Sequence, residues 1–288
     1  MKRHLLIFGY GYTARALSTH LLSKGWSITG TTRSAEKADT MQKAGIEPIL
    51  WTDPDERVQS ALSRATAILF SIGPDQTGDP VFKRFQDDIA RSANHLTWAG
   101  YLSTTGVYGN FDGAWVDETT PLTPTTQRGL ARKLAEEQWQ SISDLPLHIF
   151  RLAGIYGPTR GPFSKVRSGQ ARRIIKEGQY FSRIHVEDIT TILAASFENP
   201  NRGNAYNLCD DDPAPPQDVI GYAAELLDLP LPPIVRFEDA ELSPMARSFY
   251  AENKRVSNKK AKQEFGITLK YPSYRQGLQA LLEAEGSS

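Results

Sequence analysis

Short apolar runs alternate with stretches of helical periodicity along this chain. Leu5–Phe8 is uniformly apolar, as a strand covered on both faces requires, and Thr13–Ser23 follows with helical spacing closed by Gly25. Trp26–Thr31, Ile46–Trp51, Ala65–Ile72, Trp98–Ser103 and Leu147–Leu152 read as the second to sixth strands. Helices are predicted over Pro54–Ser63, Phe82–Asn94 and Thr125–Ser143. This alternation implies an α/β fold built on a parallel, doubly wound sheet. Beyond it, Ala205–Leu208 reads as a further strand, a helix runs to about Leu227 and Pro230–Pro233 forms a stiff connector. Ala246–Tyr250, Lys254–Phe265 and Tyr274–Leu282 read as short helices. The expected division is a sheet domain over 1–155 and a smaller lobe over 156–288, with segments around 183–210 returning to the sheet.

Composition narrows the function classes. At 288 residues and 40% hydrophobic content the chain can bury a large core. Lys plus Arg and Asp plus Glu each total 33, so no global field draws it to nucleic acid or an anionic membrane. Binding must come from local sites. Cys209 is the single cysteine, which excludes an internal disulfide framework, fits a reducing compartment and reads as a small buried residue. No apolar stretch reaches the length of a membrane span and the opening run is too short for a secretory leader, so a cytoplasmic protein is expected.

The first strand leads into Gly9, Gly11 and Ala14, spaced G-x-G-x-x-A, the phosphate-binding turn of a Rossmann-type dinucleotide fold. Gly9 permits the tight turn, Gly11 keeps side-chain atoms away from a pyrophosphate, and small Ala14 lets the helix pack close to the strand. The backbone amides around Tyr12 and Thr13 then face the anion. About 20 residues on, where an Asp or Glu would bind the ribose 2′-hydroxyl of NAD, the chain has Thr31, Thr32, Arg33 and Ser34. A guanidinium and hydroxyls hold a 2′-phosphate that a carboxylate would repel, so NADP is expected over NAD. The competing reading of Arg33 is a solvated residue at a helix start. Asp53 is placed to bind an adenine amine or to cap a helix, and Ser71 and Ile72, ahead of Gly73, lie near the expected cofactor path.

Four blocks then occur in order: YLSTTGVYG at Tyr101–Gly109, DETTPLTP at Asp117–Pro124, RLAGIYGP at Arg151–Pro158 and RIHVEDI at Arg183–Ile189. Together they resemble the extended short-chain dehydrogenase/reductase family of NAD(P)-dependent sugar epimerases and dehydratases, and within it the atypical YeeZ-like subgroup. The resemblance puts Thr104 at the family's catalytic Ser/Thr position and sets Arg151 and the following loop beside the nicotinamide. The family's Tyr-x-x-x-Lys pair is replaced by Arg128 and Arg132, in a register fixed by Gly129 and by Ala135-Glu136. Arginine has five donors and no acceptor, so it cannot take a proton from an alcohol, although it can bind carboxylate or phosphate. Arg132 can still meet the nicotinamide ribose. If hydride transfer persists, Tyr108 is the first candidate for moving the proton and Tyr156 the second.

The region 160–183 is locally basic, with Arg160, Lys165, Arg167, Arg172, Arg173 and Arg183. It suggests a small anionic substrate, such as a nucleotide diphosphate or a carboxylate, with Tyr156, Arg160, Arg173 and Arg183 in contact with it. A solvated basic helix or an acidic protein partner explains the same charges. His185 reads as structural, with no ligand-spaced His or Cys beside it, so no metal is expected. Lys254 and Arg255 are placed to close over the substrate, and the helices near 82–94 and 125–143 are candidates for a homodimer bundle. The leading expectation is an NADP-dependent oxidoreductase, epimerase or dehydratase. The alternative is a non-catalytic dinucleotide sensor or interaction protein.

Overall fold

The computed structural model describes residues 3–199, 201 and 203–286. The chain separates into two compact units, the first comprising Met1–Thr104, Gln127–Arg151 and Thr190–Tyr206. Its elements in chain order are β1 (His4–Phe8), α1 (Tyr12–Ser23), β2 (Ser27–Thr32), α2 (Ala35–Lys43), β3 (Glu47–Leu50), α3 (Asp55–Arg64), β4 (Ala67–Phe70), α4 (Pro80–Ser92), β5 (Trp98–Thr104), α5 (Gln127–Gln140), β6 (Leu147–Leu152), α6 (Val186–Ser196) and β7 (Asn204–Leu208). The seven strands form one sheet in the order β7-β6-β5-β4-β1-β2-β3. Pairing is parallel from β5 through β4, β1 and β2 to β3, with Leu6 opposite Thr29 on one side and Ile68 on the other.

The apolar runs are buried as two-sided strands should be: every residue of β1 and β4 is inaccessible or nearly so. Phe8 and Phe70 stack on each other, and Trp139 from α5 stacks on Phe70 at 3.8 Å between ring centroids. Removing such a ring costs about 3–5 kcal/mol. Parallel strands finish at a common edge, so the loops after β1, β2 and β4 emerge together. That edge is where a ligand binds in an open α/β sheet. Helix α2 follows Arg33 as a helix start there implies, but only Met41 on it is buried, so no apolar stripe marks its extent. Its start is fixed by Ser34, whose Oγ accepts the Lys37 amide at 3.2 Å.

The second unit comprises Thr105–Thr126, Leu152–Ile189 and Asn207–Ser288. The segment 105–126 thus belongs with the C-terminal part of the chain and not with a continuous 1–155 domain. It is stitched there by Trp115–Val116, which pairs in parallel with Arg255–Val256. For the same reason Lys254–Phe265 is not one helix: its start is drawn into that ladder, and the helix begins only at Lys259. Two more parallel pairs, Gly154–Tyr156 with Arg183–His185 and Arg173–Ile175 with Ile234–Arg236, surround a core containing Tyr156, Phe163, Val219, Ala223, Tyr274 and Leu278. Among the described residues no helix is long and apolar enough to cross a membrane.

Candidate functional site

The turn after β1 is built as the glycine spacing requires. Gly9 has φ of +89°, and a Cβ there would lie 2.6 Å from Ile72 Cγ1 and 3.0 Å from the Ile72 amide nitrogen. Gly9 is therefore fixed by both backbone conformation and space. Its amide donates to Thr31 Oγ1 at 2.9 Å, and the Tyr10 amide donates to the Thr31 carbonyl at 2.9 Å. These bonds lock the turn to the end of β2. Gly11, the residue ahead of α1, has φ of −99°, and a Cβ on it meets nothing nearer than the Gly9 carbonyl oxygen at 3.9 Å. The fold itself does not demand glycine there. Ala14 and Leu17 are fully buried against the sheet, as close helix packing requires.

A cavity of about 770 Å³ opens over this edge. Arg33, Ser34 and Lys37 line it past β2, Gly9 to Gly11 past β1, and Ser71, Ile72 and Gly73 past β4. Arg33, ahead of the Ser34 cap, and Lys37, in the first turn of α2, are exposed cations, and Lys37 Nζ sits 5.8 Å from the Tyr10 ring centroid. Lys37, Tyr10 and Trp51 escaped the sequence reading. Lys37 becomes visible only with α2, whose first turn brings it to the cavity beside Arg33. The cradle suits a dinucleotide: Gly11 removes the side chain that would fill it, and Arg33 and Lys37 line the same cavity past β2.

Asp53 does not serve this cavity. Its Oδ2 accepts the Leu50 amide at 2.9 Å and pairs with Arg57 at 2.6 Å, and Pro54, not Asp53, precedes α3 as its cap. Trp51 lines the cavity in its stead, with the Phe85 ring edge-on at 5.9 Å and the Arg84 guanidinium 5.0 Å from its centroid. Asp75 also lines the cavity; Thr77 and Lys83 hold its carboxyl at about 2, so it is an anion at neutral pH. Asp79 caps α4 through the Val81 and Phe82 amides, and burial raises its carboxyl pKa against those donors.

Thr104 is half-buried at the end of β5. Arg132 reaches the same edge from α5: its Nη1 donates to the Leu102 carbonyl at 2.6 Å and to Tyr101 Oη at 3.2 Å. Tyr101 is itself buried, and burial lifts its hydroxyl pKa far above the usual value. The Arg132 Nη2 lies 3.5 Å from where a Cβ on Gly73 would be, so its charge borders the cavity wall. Arg128 is exposed one turn earlier on α5. Arg151, in contrast, is buried in a paired geometry with Glu136, donating from Nε to Oε1 at 3.2 Å and from Nη2 to Oε2 at 2.8 Å. Ser103 adds a third bond to Glu136 Oε1 at 2.5 Å. Arg151 therefore braces β6 against α5 and does not reach for a cofactor.

In the second unit several expectations are corrected by burial. Tyr108 is wholly inaccessible, and its hydroxyl donates to Asn207 Oδ1 at 2.8 Å. Tyr156 is 7% exposed, its hydroxyl donates to the Ser273 carbonyl at 3.4 Å, and burial with the Asp210 and Asp188 charges pushes its pKa far up. A Cβ on Gly277 would collide with that hydroxyl. Neither tyrosine is placed to pass protons to a substrate. The basic run is largely spent on backbone carbonyls: Arg173 donates to Pro232 at 2.9 Å, Arg183 to Phe181 at 2.8 Å and Ala214 at 3.0 Å, and Arg172 to Gly169 and Ala171 at 2.8 Å each. Arg160 is exposed, in a turn closed by reciprocal backbone bonds with Gly157. Lys254 is buried, donating to the Gly109 carbonyl at 2.7 Å and to Glu252 at 2.8 Å, so it is not a lid residue.

The RIHVEDI block is structural. His185 Nδ1 accepts the Glu187 amide at 3.2 Å, its ring packs against Tyr156 and Tyr271, and burial lowers its pKa to about 4. Asp188 accepts the Lys270 and Tyr271 amides at 2.7 and 3.0 Å. Among the described residues no group of three or more His, Cys, Asp or Glu side chains could hold a metal.

No family model matches the chain. Protein YeeZ of Escherichia coli strain K12 is 28% identical over 243 residues, covering 80% of this chain and 86% of that protein. A conserved protein of unknown function from Silicibacter pomeroyi DSS is 56% identical, and its structure superposes with a TM-score of 0.92 over 100% of both chains. The structure of dTDP-glucose 4,6-dehydratase from Bacillus anthracis str. Ames, in complex with NAD, superposes with a TM-score of 0.77 over 99% of this chain and 97% of that one, at 16% identity. The chain is thus similar to YeeZ in sequence, and its fold is shared with nicotinamide-dependent sugar dehydratases and epimerases.

Proposed function

We propose that the protein binds NADP in the cavity over β1, β2 and β4 and carries out epimerase/dehydratase-type redox chemistry on a small anionic substrate. The observation that carries this reading is the cavity itself: a side-chain-free cradle at Gly11 with Arg33 and Lys37 both lining it beyond β2. Two exposed cations and the Ser34 hydroxyl favour a 2′-phosphate over a bare hydroxyl. The B. anthracis dehydratase, whose structure holds NAD, supports a nicotinamide dinucleotide as the ligand.

Bound NADP would supply the hydride acceptor or donor. This chain's own residues would do the positioning. Arg132, pinned by Leu102 and Tyr101, presents a charge that cannot be neutralised, and Thr104 offers a hydroxyl to a substrate oxygen at the same edge. Arg128 is suited to a substrate carboxylate or phosphate. Since neither arginine accepts a proton, the proton of an oxidised alcohol must leave by another route than the one the family uses.

A second reading, an NADP-binding sensor or interaction protein without catalysis, is favoured by the burial of Tyr108 and Tyr156. Stereospecifically deuterated NADPH, incubated with the protein and a metabolite extract, separates the two. Label in a product establishes the enzyme. Repeated absence of transfer, with nucleotide binding intact, establishes the sensor.

A further inference from the structure

The sheet order dictates how a dinucleotide must run. With its 2′-phosphate at Arg33 and Lys37 past β2 and its pyrophosphate at Gly9 to Gly11 past β1, its other half can extend only towards β4 and β5. There the cavity wall is Gly73, and the Arg132 guanidinium lies immediately behind it, 3.5 Å from the position of a Cβ. That guanidinium is anchored by the Leu102 carbonyl at 2.6 Å, the Tyr101 hydroxyl at 3.2 Å and the Tyr101 ring at 5.7 Å. All three are neutral partners; of the carboxylates at this end, Asp79 acts on Arg132 from the α4 cap with its ionised form disfavoured by burial, and Asp75 in the lining is paired with Lys83 at 2.9 Å. Arginine also stays charged at any working pH.

From this geometry we infer that Arg132 makes the cavity select the redox state of its nucleotide, binding the reduced, uncharged nicotinamide in preference to the oxidised, cationic one. The inference rests on the dinucleotide reading above and goes beyond it. The oxidised and reduced forms share the adenosine, the 2′-phosphate and the pyrophosphate, so everything at the β1 and β2 ends cancels in the comparison. What remains is the ring's positive charge against that of Arg132, with the Asp75 carboxylate of the lining taken up by Lys83. Two like charges within about 6–8 Å at a partly solvated protein edge shift a binding constant by about tenfold or more. A protein so biased would work as a reductase, or as a sensor of the reduced pool, and would release its oxidised nucleotide readily.

The test is calorimetric titration of the cofactor-stripped protein with NADPH, with NADP in its oxidised form, and with adenosine 2′,5′-bisphosphate, which lacks the nicotinamide. The wild type should bind NADPH about tenfold or more tighter than the oxidised form. Arg132→Gln should bring that ratio close to one while leaving the bisphosphate affinity unchanged, and Arg132→Lys should keep the preference. Equal affinity of the wild type for the two forms overturns the inference, even if Arg132→Gln does not fold. A ratio unaltered in folded Arg132→Gln overturns it as well. If none of the three ligands binds, the dinucleotide reading fails and this inference falls with it; if all three bind without redox preference, only this inference fails.

Discussion

Valine in place of Gly11 should leave the fold intact and remove nucleotide binding. A Cβ there has no protein atom nearer than 3.9 Å, and φ of −99° is open to any residue, so the change in stability should stay within about 1 kcal/mol. The ligand's position is different. A phosphate oxygen hydrogen-bonded to the turn approaches backbone nitrogen to about 2.9 Å, whereas carbon and oxygen in van der Waals contact stay about 3.4 Å or more apart. The valine methyls therefore force the pyrophosphate off the amides. Losing two charge-assisted hydrogen bonds, each worth about 1.5–3 kcal/mol, weakens binding by roughly a hundredfold to ten-thousandfold. Gly9→Ala is the contrast. Its Cβ would fall 2.6 Å from Ile72 Cγ1 at φ of +89°, and it should lower stability by about 2–4 kcal/mol. Thermal melts beside NADPH titrations measure both. A folded Gly11→Val protein that binds NADPH with unchanged affinity would refute the reasoning.

Three other outcomes follow from the same structure. Arg33→Ala and Lys37→Ala should each weaken NADPH by about tenfold and leave NADH nearly unaffected, because only NADPH carries the 2′-phosphate; parallel titrations check this. Glu136→Ala should cost about 3–5 kcal/mol in denaturant unfolding, because it strands the buried Arg151 guanidinium. His185 is held neutral, with a pKa near 4 against an ordinary 6.5, so the unfolded chain binds its proton first as pH falls. Stability contributed by the neutral ring is complete above pH 6.5 and is lost between 6.5 and 4. In a folded His185→Gln variant, the acid limb of a stability–pH curve should be shallower over that window, with Glu187 and Lys270 still present.

The sheet and its glycine turn were legible because strands buried on both faces leave unbroken apolar runs such as Leu5–Phe8, and because the turn's geometry tolerates few residues. Arg33 was legible for a similar reason, as a break from an expected acid. Lys37 was not, since α2 buries only Met41 and leaves no periodic stripe. Tyr108 and Tyr156 looked available because a motif gives proximity along the chain but not accessibility. Only the fold shows Asn207 and Ser273 taking their hydroxyls. The basic run from 160 to 183 misled in the same way: charge is visible in sequence, whereas the Pro232, Phe181 and Ala214 carbonyls that absorb Arg173 and Arg183 come from distant segments. The assignment of 105–126 to the second unit likewise depends on pairing between Trp115 and Arg255, which no local pattern encodes.

The most direct test of the central claim is titration of the stripped protein with NADPH and, separately, with NADH. The two cations past β2 predict NADPH binding about ten- to a hundredfold tighter than NADH. Equal affinities, tighter NADH, or binding of neither would contradict the assignment of this cavity to NADP.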